Sequence, residues 1–270
     1  MPRERVRRKA RHEMRIMALA GVVVEEALAA GAATAVAGAT TRDVDEAAAA
    51  VLRARRAGSS FLGYFGYPAV TCVSVNDEVV HGIPGKRTLA AGDIVSIDCG
   101  AIVDGWHGDS AVSLIVGEPR SESDAALVAG TREALWDGIA AFATATSIAQ
   151  VAGAIEAAAM RASLTPIEGY VGHGIGREMH EAPEVPNERL GGREARVRPG
   201  LCIAIEPMLS QGGRDTRVLD DGWTVVTDDG ARAAHWEHSI ARHEDGIWVL
   251  TASDGGAAEL GKRGIVPVAP

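Results

Sequence analysis

Asp98 and Asp109 flank the dipeptide Asp104-Gly105, and this arrangement is the first sign of chemistry in the chain. Asp-Gly supplies the positive backbone angles of a two-residue hairpin turn. Folding there places Val103 opposite Trp106, Gly100 opposite Asp109 and Asp98 opposite Ala111. Side chains alternate between the faces of a strand, so Asp98, Gly100, Asp109 and Ala111 share one face. Two carboxylates so placed repel unless a positive charge lies between them. The other face, with Val95, Ile97, Val112, Leu114 and Val116, is apolar as a buried hairpin requires. An acidic pair inside a core calls for a cation.

Three later stretches offer partners. In Gly172-His173-Gly174-Ile175-Gly176 a histidine is framed by glycines, which exclude a regular helix and let backbone approach closely. Alone, such a histidine is more often a loop hydrogen-bonder than a ligand. Glu206 ends the apolar run Leu201-Cys202-Ile203-Ala204-Ile205, and Glu237 sits in Ala234-His235-Trp236-Glu237-His238, a strand-like run continuing through Ile240. Burying either carboxylate unpaired costs on the order of several kcal/mol. A buried salt bridge to Arg is the ordinary alternative, yet no Arg lies inside these runs. Two Asp, two Glu and one His form a hard, oxygen-rich set without thiolate that suits Mn, Fe, Co or Zn. Four carboxylates exceed the charge of one divalent ion and balance two. Two ions about 3.5–4 Å apart, sharing carboxylates and a nucleophilic hydroxide, are the arrangement of two-metal hydrolases.

The rest of the chain must supply strands for these residues and helices to cover them. Residues 8–38 are rich in Ala, Val and Leu, with Met14, Met17, Val24 and Leu28 at helical spacings. Residues 38–41 break this helix, and Asp43-Val-Asp-Glu46 reads as a capping box opening a second helix to about residue 57. A glycine- and aromatic-rich loop, 58–68, precedes strand-like runs at 69–75 and in the hairpin. Then the plan repeats. Residues 121–143 are helical, and Ser147-Ile-Ala-Gln150 caps a helix to about residue 163. Short strands follow around Tyr170 and at 201–205, 223–226, 235–241 and 247–250. This order predicts an α+β protein of two pseudo-symmetric halves, with helices packed outside a curved, mostly antiparallel sheet. Residues 1–10 read as a basic leader, 11–251 as a single catalytic domain, and 252–270 as a loosely ordered tail.

Bulk properties narrow the function classes. At 270 residues and 47% apolar the chain can bury a sizeable core, which excludes a disordered protein. A net charge of −9 argues against whole-protein affinity for nucleic acid or anionic membrane, although the first fifteen residues carry seven Lys or Arg against Glu4 and Glu13. Cys72, Cys99 and Cys202 form no Cys-x-x-Cys, so neither a disulfide framework nor a structural zinc site is indicated. With no 18-residue uncharged apolar run and no signal cleavage site, the chain reads as cytoplasmic, with neither DNA nor membrane as partner. A monomer is expected.

Six blocks, in this order, resemble those of type I methionine aminopeptidases of the pita-bread fold. They are Phe-Leu-Gly-Tyr-Phe-Gly-Tyr-Pro (61–68), Asn-Asp-Glu-Val-Val-His-Gly-Ile-Pro (76–84), the hairpin (94–109), Gly-His-Gly-Ile-Gly-Arg-Glu-Met-His (172–180), Ile-Glu-Pro-Met (205–208) and Trp-Glu-His (236–238). Asp98, Asp109, His173, Glu206 and Glu237 fill the five metal-ligand positions of that family. The resemblance implies two divalent ions, bridged by Asp109 and Glu237, with Asp98 on one and His173 and Glu206 on the other. It implies Glu206 as proton shuttle, His180 as donor to the peptide carbonyl as it becomes an oxyanion, and His81 against the nitrogen of the scissile bond. His107 and His238 are expected to be structural hydrogen-bonders. An apolar pocket of Tyr64, Tyr67, Cys72, Met179 and Trp223, with Phe61 at its edge, would receive a terminal methionine. Such aromatics also serve as ordinary core. The implied activity is removal of N-terminal methionine from nascent polypeptides whose second residue is small.

The chain departs from the family pattern at Phe65, where many relatives carry a polar residue such as His, and at Met179, which replaces a common aromatic. Both bear on side-chain preference more than on the chemistry. The basic leader is a further departure and is expected either to be solvated or to dock transiently on ribosomal RNA. Two other readings compete. An X-Pro aminopeptidase or dipeptidase of the same fold normally carries an additional N-terminal domain, for which this chain has no room. A non-catalytic, partner-binding paralogue loses metal ligands, and none is missing here.

Overall fold

In the computed structural model, which describes residues 6–191 and 195–270, Asp104 and Gly105 take φ values of 50° and 74°. The strands Ile94–Val103 and Trp106–Ile115 pair antiparallel in the register that this turn predicts, with Gly100 opposite Asp109 and Asp98 opposite Ala111. Residues 1–5 of the expected leader lie outside the described residues.

The hairpin anchors a nine-stranded sheet whose order is Gly58–Ser59, Ile94–Val103, Trp106–Ile115, Glu237–His243, Leu201–Ile205, Gly172–Gly174 and Glu181–Val185. Thr71–Val75 also pairs with Ile94–Val103, and Gly246–Val249 with Glu237–His243. The two halves meet where Glu237 pairs with Ala111 and His238 with Ser110. The strand expected around Tyr170 is instead two pieces, Thr165–Pro166 and Gly172–Gly174, on either side of that residue.

Helices cover the sheet in pairs. α1 (Arg11–Thr34) and α2 (Thr41–Arg55) pack on the first half, burying Val24, Leu28, Val44 and Leu52 with Val95 and Ile97. α3 (Glu122–Phe142) and α4 (Ile148–Arg161) cover the second, where Leu135, Ile139, Phe142 and Ile155 meet Ile203 and Ile205. Each such aliphatic side chain stabilises the fold by about 1.5–3 kcal/mol. α1 is long and apolar enough to suggest a membrane span, but its stripe of Met14, Met17, Gly21, Val24 and Leu28 is buried in the core. Two glycines bring it to backbone contact. A Cβ on Gly21 would lie 1.9 Å from Leu250 O, and one on Gly108 2.8 Å from Gly21 N.

Two expectations need correction. α2 starts a few residues before the Asp43–Glu46 pattern suggests, because Asp43 is the third helical residue and not the cap. The Thr40 hydroxyl accepts from Asp43 N–H at 3.2 Å, and the Asp43 carboxylate accepts from Thr40 N–H at 2.7 Å. The tail 252–270 is also not loose. α5 (Ala257–Gly261) places Leu260 in the second core, Val268 N–H donates to Ile247 O at 2.9 Å, and Arg15 Nε donates to Pro270 O at 2.6 Å.

Candidate active site

Each expected metal ligand stands on a strand or at the end of one. Asp98 and Asp109 project from the hairpin and His173 from Gly172–Gly174. Glu206 follows Leu201–Ile205 directly, and Glu237 opens Glu237–His243. Donor atoms of Asp109, His173 and Glu237 all lie within 4.8 Å of one another. Glu206 Oε1 is 3.5 Å from His173 Nε2. The His173 ring is oriented by its other nitrogen: Nδ1 lies 3.0 Å from Gly174 O, and since a carbonyl only accepts, Nδ1 carries the proton. Nε2 is left as a lone-pair donor.

The electrostatics identify what this cluster suits. Burial is the largest effect on each carboxyl. It raises Asp98 to about 7, and it pushes Asp109, Glu206 and Glu237 well above the usual carboxylate range with help from one another's charge. Among the described residues, Asp98 Oδ1, Asp109 Oδ1 and Glu237 Oε1 are buried without a hydrogen-bond partner. Oxygen atoms so orphaned, converging with a neutral imidazole, fit divalent cations of the hard or borderline kind. Burial lowers His173 to about 3, which keeps that imidazole neutral.

One cavity of about 330 Å³ holds Asp98, Asp109, Glu206 and Glu237 together with the pocket residues Phe61, Tyr64, Tyr67, Cys72, Met179 and Trp223. Phe61, Tyr67, Cys72 and Met179 are buried as one apolar cluster, with Tyr64 and Trp223 packed on it. Tyr67 is fixed by its hydroxyl, which donates to Thr71 O and Gly82 O at 3.0 and 3.1 Å. Trp223 lies in the loop before Val225–Thr227 and not on a strand, its ring 5.0 Å from that of Tyr67. His81 and His180 line the same cavity. His81 holds a left-handed φ of 61°, and burial lowers it to about 4. The His180 ring stands 4.3 Å from that of His173, and burial lowers its pKa as well.

Phe65, expected to border the pocket, reaches the cavity but is 85% exposed, so it is rim and not wall. His107 and His238 are hydrogen-bonded as structural residues, His107 Nδ1 to Ser60 Oγ at 2.9 Å and His238 Nδ1 to Thr251 Oγ1 at 2.8 Å. His235 has no role in the reading of the sequence alone. Its buried Nε2 has no hydrogen-bond partner among the described residues and lies 3.7 Å from Glu206 Oε2. Its place two residues before Glu237, on the same alternation, was the available signal.

Convergent, buried carboxylates and a neutral imidazole beside an apolar pocket, at the seam of the antiparallel sheet, make a candidate divalent-metal site open to a substrate. Residues 15–249 match metallopeptidase family M24, and the chain belongs to that family. The methionine aminopeptidase 1 of Mycobacterium tuberculosis (strain CDC 1551 / Oshkosh) is 50% identical over 246 residues, which cover 88% of this chain and 92% of that one. A crystal structure of the Thermotoga maritima methionine aminopeptidase matches with TM-score 0.89 at 41% identity, covering 92% of this chain and 100% of that one. Prolidase from Pyrococcus furiosus matches with TM-score 0.73 at 19% identity over 91% of this chain and 65% of that one, a likeness of fold alone. The pita-bread fold expected from the sequence is the fold observed.

Proposed function

We propose that the protein is a methionine aminopeptidase, cleaving the first peptide bond of polypeptides that begin with methionine and continue with a small residue. The observation that carries this reading is the single cavity in which an apolar, cysteine-containing pocket adjoins the carboxylate cluster. Kinship with enzymes of that name supports it.

Asp98, Asp109, His173, Glu206 and Glu237 would hold two divalent ions. When bound, the ions supply Lewis acidity and make water a nucleophile at neutral pH. Glu206 takes a proton from the attacking water and delivers it to the departing amine. His180 donates to the carbonyl oxygen as negative charge gathers there. His81, kept neutral by burial, contacts the nitrogen of the scissile bond. Tyr67, Cys72, Met179 and Trp223 hold the methionine side chain, a polarizable thioether against sulfur and aromatic walls. Free, buried Cys72, Cys99 and Cys202 suit a cytoplasmic enzyme. Exposed Arg7 and Arg8 suit a transient contact with ribosomal RNA where nascent chains emerge.

The test is release of the first residue from Met-Ala-Ser, Leu-Ala-Ser, Met-Leu-Ser and Ala-Pro-Ala by chelated and metal-restored enzyme. Cleavage of Met-Ala-Ser alone, lost with chelator and regained with Mn or Co, is expected. Preference for Ala-Pro-Ala would make it an X-Pro peptidase. Silence with every metal from a folded protein would mean that the pocket serves another substrate or only a partner.

A further inference from the structure

The basic leader does not end in solvent. Lys9 is turned inward and is 6% exposed, with its Nζ 2.7 Å from Glu181 Oε2 and 3.1 Å from Arg7 O. The other oxygen of Glu181, Oε1, accepts from the backbone N–H groups of Arg177 and Glu178 at 3.1 and 3.4 Å. Gly176 closes the arrangement: a Cβ there would fall 2.5 Å from both Lys9 Cε and Glu181 Oε1, so the cluster has no slack. At the start of the turn, Gly176 O accepts from His107 N–H at 2.9 Å. The turn 176–181 is thus gripped at both ends, and it carries Met179 of the pocket wall and His180.

Lys9 is itself held from the far side. Its N–H donates to Gly200 O at 2.7 Å, and Arg8 Nε donates to Pro199 O at 2.7 Å. Gly200 precedes the strand Leu201–Ile205, which delivers Glu206. One lysine therefore connects the element that presents Glu206 with the turn that presents His180. A buried ion pair contributes little to stability over an apolar pair of similar volume. It can instead select one conformation, because a Glu181 carboxylate that accepts two backbone N–H groups needs a buried countercharge.

We propose that Lys9 is a positioning residue for catalysis, acting through Glu181 to hold the 176–181 turn and with it His180. The inference rests on the reading of His180 as carbonyl donor. The experiment is a double-mutant cycle on kcat and KM for Met-Ala-Ser in metal-loaded, full-length enzyme, at a temperature where circular dichroism shows every variant folded. His180→Ala alone is expected to lower kcat about 10²–10³-fold. Lys9→Met is expected to lower kcat about tenfold with KM changed less than about threefold, and by less than about twofold when His180 is already Ala, because residues acting through one another are not additive. Lys9→Arg, which keeps the charge, recovers most of the loss. Should Lys9→Met not fold, Lys9→Met with Glu181→Gln leaves no unpaired charge and enters the same cycle. Unchanged kcat in Lys9→Met, or in Lys9→Met with Glu181→Gln where that replaces it, or an equal loss in both His180 backgrounds, would overturn the proposal. Unchanged kcat in His180→Ala would instead remove the donor role on which it rests.

Discussion

The Tyr64 hydroxyl lies 2.7 Å from Nδ1 of His180. A phenol donating to Nδ1 leaves the ring proton on Nε2, the tautomer that a histidine needs to donate to a substrate carbonyl. Tyr64→Phe removes that selection. It is expected to lower kcat about tenfold, less than the full deletion in His180→Ala, with the fold unchanged by circular dichroism. Equal kcat in the two tyrosine forms would separate Tyr64 from the chemistry.

Glu206 is read both as ligand and as proton carrier, and the two roles can be split. Glu206→Gln keeps a ligating oxygen but cannot shuttle a proton. A loss of about 10²–10⁴ in kcat with metal still bound by elemental analysis is expected. Near-normal turnover in a metal-loaded Gln variant would assign the proton transfer elsewhere.

Charge in the metal-free centre makes stability depend on pH. Burial, with mutual repulsion, raises Asp98 to about 7 and Asp109, Glu206 and Glu237 well above the usual range. A carboxyl raised by folding stabilises the fold while protonated, so its contribution is complete below the unfolded value of about 4 and is lost as pH rises through the folded value. Buried histidines such as His81 and His173, which burial lowers to about 4 and about 3, act in the opposite sense up to their unfolded value of about 6.5. The Tm of chelated protein should therefore fall only above that, between about pH 6.5 and pH 8. Metal-loaded protein should hold level or rise over that range, because protons compete with the ions for the carboxylates. Calorimetry with and without chelator reads both slopes, and a chelated Tm that climbs between about pH 6.5 and pH 8 would contradict this account.

Gly21 has no room for a side chain: a Cβ would meet Leu250 O at 1.9 Å, and backbone has nowhere to yield. Gly21→Ala is expected to cost about 3 kcal/mol or more, at or beyond the usual upper end of overpacking. Phe65→Ala, at a residue 85% exposed, should stay within about 0.5 kcal/mol of the parent. Urea titrations of both variants would show whether close approach or apolar size governs tolerance here.

Where local chemistry dictates geometry, the amino-acid order was enough. Asp104-Gly105 sets the hairpin register, and the register sets Asp98 and Asp109 on one face. Residues whose places depend on distant partners were not legible. Lys9 reads as solvated until Glu181 is brought beside it. The Gly-, Ala- and Pro-bearing tail hides Leu260, whose burial among α3 and α4 residues fixes it. Thr40 caps α2 through a reciprocal pair with Asp43, a pattern that Glu46 three residues later imitates. Short strands such as Glu181–Val185 and Met208–Ser210 lack a run long enough for alternation to show.

The seam between the halves has a consequence for how the molecule could be divided. Asp98 and Asp109 come from one half and His173, Glu206 and Glu237 from the other, yet the seam strands share two residue pairs where the hairpin strands share ten. Neither half can neutralise its own acids. Severed in the exposed connection 117–120, the chain would give two fragments whose reunion, begun by apolar contacts such as Met14 and Met17 with Leu250, would be tightened by a divalent ion between their acids.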